Sequence, residues 1–130
     1  MFTVTQIENA HSEVKSGADF PKYIQNIKKL GVQSFVTWVK DSHTEYFGTD
    51  QFSAKSTSKY EDLIIAKTTN KEVFLNRLKA HQNGETDYFT FCKDCAENGI
   101  EKWVMNLYGM TCIYYNQTGE EILSENIPAL

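Results

Sequence analysis

The spacing of hydrophobic residues along this chain switches three times between a helical period and strand alternation. Ile7, Ala10, His11 and Val14 recur at three-and-four spacing, which stacks their side chains on one helix face. Thr3 with Gln6 reads as a capping box, Phe2 and Ile7 as the staple around it, and Gly17 as the stop. A second helix is expected from an Asp19 cap, with Pro21 in its first turn, an apolar stripe of Tyr23, Ile24, Ile27 and Leu30, and Gly31 as terminator. From Val32 to Lys40 the period becomes two, Asp41 to His43 reads as a turn, and Thr44 to Phe47 continues as a strand. A short third strand is expected over Gln51 to Lys55, and a buried strand at Leu63 to Ala66.

The helical period returns with Asn70 as a cap, Val73, Phe74, Leu78 and His81 on the inner face and Gly84 as the stop. Asp87 caps a fourth helix with Tyr88, Phe91, Cys92 and Cys95 inward, ended by Gly99. Three strands follow: Lys102 to Tyr108, Thr111 to Tyr115 and Glu120 to Ser124, the last two joined by an Asn116 to Gly119 loop. The order helix, helix, strand, strand, strand therefore occurs twice. Asp19 and Asp87 stand 68 residues apart, as do Gly31 and Gly99; at the same offset Tyr23 meets Phe91, Phe35 meets Trp103, Val36 meets Val104, and Tyr46 meets Tyr114. The expected fold is α+β: a single domain over 1–130 made by duplicating an ααβββ unit, halves near 1–67 and 68–130, with antiparallel sheet covered by helices. A ligand site is expected at the seam between the halves.

Composition narrows the choice of function. Thirteen basic residues against 17 acidic ones give a net charge of −4 over 130 residues. That argues against nucleic acid or an anionic membrane as partner, since both call for clustered positive charge. Arg77 is the one arginine, so bidentate clamps for phosphate or carboxylate are scarce. The first ten residues lack the basic flank and apolar run of a signal peptide, and no apolar run approaches a membrane span. Three cysteines, an odd number, suit a reducing cytosol. Asn116-Gln117-Thr118 fits the glycosylation pattern and is read as turn chemistry.

Ala10-His11-Ser12-Glu13-Val14-Lys15-Ser16-Gly17-Ala18-Asp19-Phe20-Pro21 resembles the opening of the YbcV-like family of small bacterial proteins. So do His43 to Gly48, Glu101 to Val104 and Met110 to Tyr115, and the similarity spans almost the whole chain. The resemblance implies little about activity: the family is one of unknown function, some of whose members carry the label "phage envelope protein". It supplies no catalytic or binding residues to carry over.

Four groups of residues could carry chemistry. Cys92 and Cys95 form a Cys-x-x-Cys. At the offset of 68 they match Ile24 and Ile27, so packing is the simpler reading, and no metal or cofactor is implied. His11 and His81 lie on the first helix of each half and would form a proton-transfer pair if they met across the seam. Asp41, His43 and Glu45 alternate beside a hairpin turn, where one strand face would present all three for acid–base work. Their counterparts Gly109, Thr111 and Ile113 make any such chemistry one-sided. Trp38, Tyr46, Trp103, Tyr108, Tyr114 and Tyr115 are expected on strands.

No nucleophile elbow or phosphate loop is present. The reading is a bacterial cytoplasmic, non-enzymatic module for a small molecule or a protein. Its site is expected at Asp41, His43, Glu45, Tyr46, Trp38, Trp103, Tyr114, His11 and His81, and the state of assembly leaves room for a homodimer. The alternatives are a small hydrolase or isomerase using His43 with Asp41 or Glu45, and a phage-related structural or host-interaction protein.

Overall fold

Thr3 begins the fold as the sequence suggests: its side chain accepts the Gln6 N–H at 3.1 Å while Gln6 Oε1 accepts the Thr3 N–H at 2.8 Å. The computed structural model describes residues 2–14 and 17–128; Lys15 and Ser16 of the opening motif, with the two ends of the expected 1–130 domain, lie outside the described residues. Helix α1 runs Val4–His11 and α2 Phe20–Leu30. Strands β1 (Ser34–Trp38), β2 (Thr44–Phe47) and β3 (Ser53–Lys55) complete the first half. The second half repeats the order with α3 (Lys71–Gln82), α4 (Tyr88–Glu97), β4 (Ile100–Asn106), β5 (Thr111–Asn116) and β6 (Glu121–Asn126). The architecture is α+β, and all six strands form one antiparallel sheet in the order β3-β2-β1-β4-β5-β6.

The two halves meet at the β1–β4 pair, where Val36 stands opposite Val104 and Trp38 opposite Lys102. Pairing registers repeat at the offset of 68. Phe35 faces Tyr46 on β1–β2, and Trp103 faces Tyr114 on β4–β5. Phe47 faces Ser53 on β2–β3, and Tyr115 faces Glu121 on β5–β6, after which a bulge shifts the second pair by one residue. Such a bulge places an extra residue in one strand and bends it.

Strand alternation sorts the sheet into two faces. Phe35, Thr37, Thr44, Tyr46, Trp103, Met105, Cys112 and Tyr114 are buried beneath the helices. Ile7, Tyr23, Ile24, Ile27, Phe74, Leu78, Phe91, Cys92 and Cys95 come down on them in one cluster. Edge-to-face contacts lock the layers, Phe74 on Tyr114 at 5.1 Å and Tyr88 on Trp103 at 6.3 Å. The other face carries Val36, Trp38, Phe47, Val104, Ile113 and Tyr115, all partly exposed. They belong neither to the buried cluster nor to the side chains packed against it.

Four expectations need correction. Leu63 to Ala66 is not a strand: it runs as irregular chain, with Ile64 92% exposed. The Leu63 and Ala66 N–H groups donate to the Lys40 and Ala96 carbonyls at 2.7 and 2.8 Å, single bonds to two separate segments that do not make a strand ladder. Helix α1 stops at His11 with Ser12 as its C-cap, well before Gly17, which opens a 3-10 turn over Gly17–Asp19 leading into α2. Val14 consequently lies past the helix, though it still packs on the core. Val73 is 40% exposed because it sits on the outer side of α3. Tyr108 is 64% exposed in the β4–β5 turn, beyond the strand that ends at Asn106. Helices do cover the sheet as expected, with the buried cluster between them and one of its faces.

Replacing Phe74 by Ala should cost about 3–5 kcal/mol, the range for a fully buried phenyl ring. Ile64→Ala should change stability by less than about 0.5 kcal/mol. Urea unfolding of both variants checks the corrected assignment: a large loss at Ile64 would restore the buried strand.

Candidate functional site

The loop between β1 and β2 is held by two backbone bonds, Ser42 N–H to the Trp38 carbonyl at 2.8 Å and Trp38 N–H to the His43 carbonyl at 3.0 Å. To close it, Ser42 takes a left-handed conformation, φ 60°, uncommon for a residue with a side chain. Its hydroxyl is fixed from the helix layer by the Tyr88 hydroxyl at 2.5 Å. This geometry turns Asp41 back on the chain. Asp41 Oδ1 accepts the His43 backbone N–H at 3.0 Å and the His43 Nδ1–H at 2.6 Å. Nδ1 is thereby committed as donor and Nε2 left as acceptor. The side chains of His43 and Asp41 are 23% and 13% exposed. Burial pushes the Asp41 carboxyl up, but hydrogen bonds from the His43 backbone and ring override it and hold the pKa below the ordinary value.

His43 stacks on Trp38, ring centroids 6.1 Å apart and planes within 11°. Lys102, paired across β1–β4 with Trp38, places Nζ 4.9 Å from the Trp38 ring centre and 5.5 Å from that of Tyr115. A row of ring, ring, cation and ring thus crosses the open face. Beside it lies a cleft of about 430 Å³ lined by Trp38, Lys40, Leu63, Ile65, Glu101 and Gln117, within the usual size range of small-molecule sites. The irregular 63–66 chain forms one wall, tied down by Gln117 Nε2 donating to the Ile65 carbonyl at 3.1 Å.

The sequence-predicted residues divide accordingly. Trp38, Asp41 and His43 come together. Glu45 stands on the same face of β2, opposite Val36 and Lys55, whereas Asp41 lies in the turn, so the three do not share a strand. Tyr46, Trp103 and Tyr114 are 8%, 5% and 5% exposed on the helix-covered face. The expected pocket combining them with Trp38 therefore does not form: β1 alternation puts Trp38 on the opposite side from Trp103. Lys40, Glu101, Lys102 and Tyr115 were not singled out as site residues. The register through Trp38 and Lys102 is the signal that finds the last two.

The two helical histidines have separate surroundings. His11 packs edge-on against Tyr23 at 5.0 Å, while His81 stacks on Phe91 at 4.5 Å and lies 3.2 Å from the Thr86 carbonyl through Nδ1. Burial, the leading cause in each, lowers both pKa values. Cys92, Cys95 and Cys112 are free and buried. Burial raises all three thiols, Cys112 to about 12, which keeps them protonated and weakly nucleophilic. Among the described residues no three His, Cys, Asp or Glu side chains converge to hold a metal ion, and no helix is long and apolar enough to cross a membrane.

Compared with known proteins, the chain matches over residues 8–126 the family model described as protein of unknown function (DUF1398). No curated protein matches it.

Because burial keeps His11 and His81 neutral, unfolding exposes groups that bind protons more readily, and stability rises with pH through that window. Their contribution is complete above the unfolded value near 6.5. It is lost as pH falls below that value. Thermal unfolding between pH 7 and 5 should show this loss, reduced in His81→Gln; an unchanged slope would mean that His81 is not buried neutral.

Proposed function

The chain belongs to DUF1398, a family of proteins of unknown function, and from its geometry we propose a non-enzymatic binding module that takes a small zwitterionic molecule with an apolar or planar body. The observation that carries this reading is the lining of the cleft. Trp38, Leu63 and Ile65 offer an apolar bed, Lys40 a partner for an acidic group and Glu101 one for an amine. Such a site fixes orientation through a few polar groups on an apolar floor. The Asp41–His43 pair does not line the cleft and orients the Trp38 ring by stacking on it.

A second reading, a small acid–base enzyme, is favoured by the 2.6 Å bond between Asp41 and His43. A carboxylate that fixes the imidazole tautomer is the usual support for a general base. The cleft wall, however, is Trp38 rather than His43, which weighs towards binding. Within the family, the motifs at Ala10 to Pro21 and Met110 to Tyr115 favour a place among the YbcV-like proteins; the phage label is taken as an inherited name. The repeated strand registers support an origin by duplication, and one sheet over one buried cluster supports a single domain. Three free cysteines fit work in a reducing cytosol.

Thermal shift against zwitterions with aromatic or branched bodies, beside matched simple acids and amines, tests the proposal. A ligand at a hundredfold excess over its dissociation constant stabilises by about 2.7 kcal/mol. The shift should vanish in Trp38→Ala, weaken in Lys40→Ala and Glu101→Gln, and persist in Cys92→Ala with Cys95→Ala. A shift that survives Trp38→Ala would place the ligand elsewhere, and none across the panel would sink the reading. Turnover of a bound compound, lost in His43→Ala while binding remains, would favour the enzyme.

A further inference from the structure

We propose that the open face of the sheet is covered by a second copy of this chain, stacked face to face about a two-fold axis along the β1–β4 seam. Val36, Trp38, Phe47, Val104, Ile113 and Tyr115 form an apolar strip there that lies outside the buried cluster and the side chains packed on it, with His43 on Trp38 and Lys102 over Trp38 and Tyr115 within the same face. Patches of this kind mark protein interfaces. Six strands about 4.8 Å apart and five residues long make a face of roughly 500 Å² per copy, or about 1,000 Å² for a pair. That reaches the lower limit for a specific interface.

The register says which occupant fits. A half-turn along the seam lays β1 over β4 of the second copy and β2 over its β5. Val36 then meets Val104, and Trp38 meets Lys102, in both directions, because a two-fold contact is reciprocal. The Lys102–Trp38 attraction already present within the chain, at 4.9 Å, is thereby repeated between copies. His43 faces Tyr115 of the second copy. Glu45, the acidic side chain amid the strip, comes within reach of the second copy's Lys102 one row away. Glu45 has Lys55 opposite it on β3, but a generic apolar partner would bury Lys102 with only the Trp38 and Tyr115 rings about it, which is costly without a counter-charge.

The same operation preserves the direction of the strands, so both Trp38 ends lie together and the two clefts adjoin across the axis. Resting on the ligand reading above, each open cleft gains a wall from the second copy and the pair becomes one composite pocket. The site is incomplete in a single chain.

Sedimentation equilibrium of the full chain at tens of micromolar should give a dimer. Lys102→Glu places an anion against Trp38 and near Glu45 of the other copy, and should weaken association by about tenfold or more. The double change Glu45→Lys with Lys102→Glu should restore it. Circular dichroism and the unfolding midpoint of diluted protein establish that each variant folds. A monomeric wild type, or a dimer indifferent to Lys102→Glu, would overturn the proposal. Those outcomes are separable from failure of the ligand reading: a monomer that still gives a Trp38-dependent thermal shift keeps the cleft and loses the second copy. A dimer without any shift keeps the interface and loses the ligand.

Discussion

Everything in this structure hangs on the antiparallel pairing of β1 with β4. Each half alone supplies three strands and two helices, too little apolar surface for an independent core. Bringing Val36 opposite Val104 joins the half-sheets and lets Ile24, Ile27, Phe74 and Phe91 pack into one cluster. The contact closes a loop of 68 residues, so its entropy must be met before the central pair contributes stability. Local signals consequently have to be strong on both sides of it. They are: Thr3, Asn70 and Asp87 cap helices through their side chains, and Gly31 ends α2 in a left-handed conformation, φ 108°.

The open face follows from the same pairing. The registers on either side of the seam map onto each other about an axis normal to the sheet, and rotation about such an axis keeps both helix pairs on one side. Four helices on one side leave the other bare, whatever residues stand there. Polar strand positions would have made that face an ordinary solvated surface. This chain places Val36, Val104 and Ile113 in the central row instead, and it is those choices, not the topology, that make the face apolar.

Much of this was legible in the sequence, and the main error was a parity error. Helix caps, glycine stops and the offset of 68 located the cores of the four helices and six strands to within a few residues because each depends on local chemistry. What failed was the side of the strand. Phe35 and Trp103 are counterparts, so they share the helix-covered face; Trp38, three residues from Phe35, has to face the other way. The offset of 68 by itself therefore speaks against a single pocket holding both Trp38 and Trp103. The cleft residues Lys40, Ile65 and Glu101 come from three separated segments, and nothing local joins them. The Leu63 to Ala66 run failed differently: apolar content suggested a strand, but a strand also needs a neighbour with free backbone groups.

The two ends of the sheet differ in chemistry while following the same backbone course. At the offset of 68, Asp41, His43 and Trp38 correspond to Gly109, Thr111 and Asn106. The Asn106 side chain caps its own turn, accepting the N–H groups of Tyr108 at 3.0 Å and Gly109 at 2.9 Å. That is structural work that the Asp41 carboxylate performs in the first half by holding His43. The first-half turn does more than close, since its carboxylate also fixes an imidazole that stacks on Trp38. A turn needs one acceptor for its N–H groups; an oriented imidazole, a stacked indole and a lysine over that indole exceed what a turn requires. This surplus of ordered, partly exposed side chains occurs at only one of two equivalent ends, so the fold does not demand it and the His43 end is where function is to be sought.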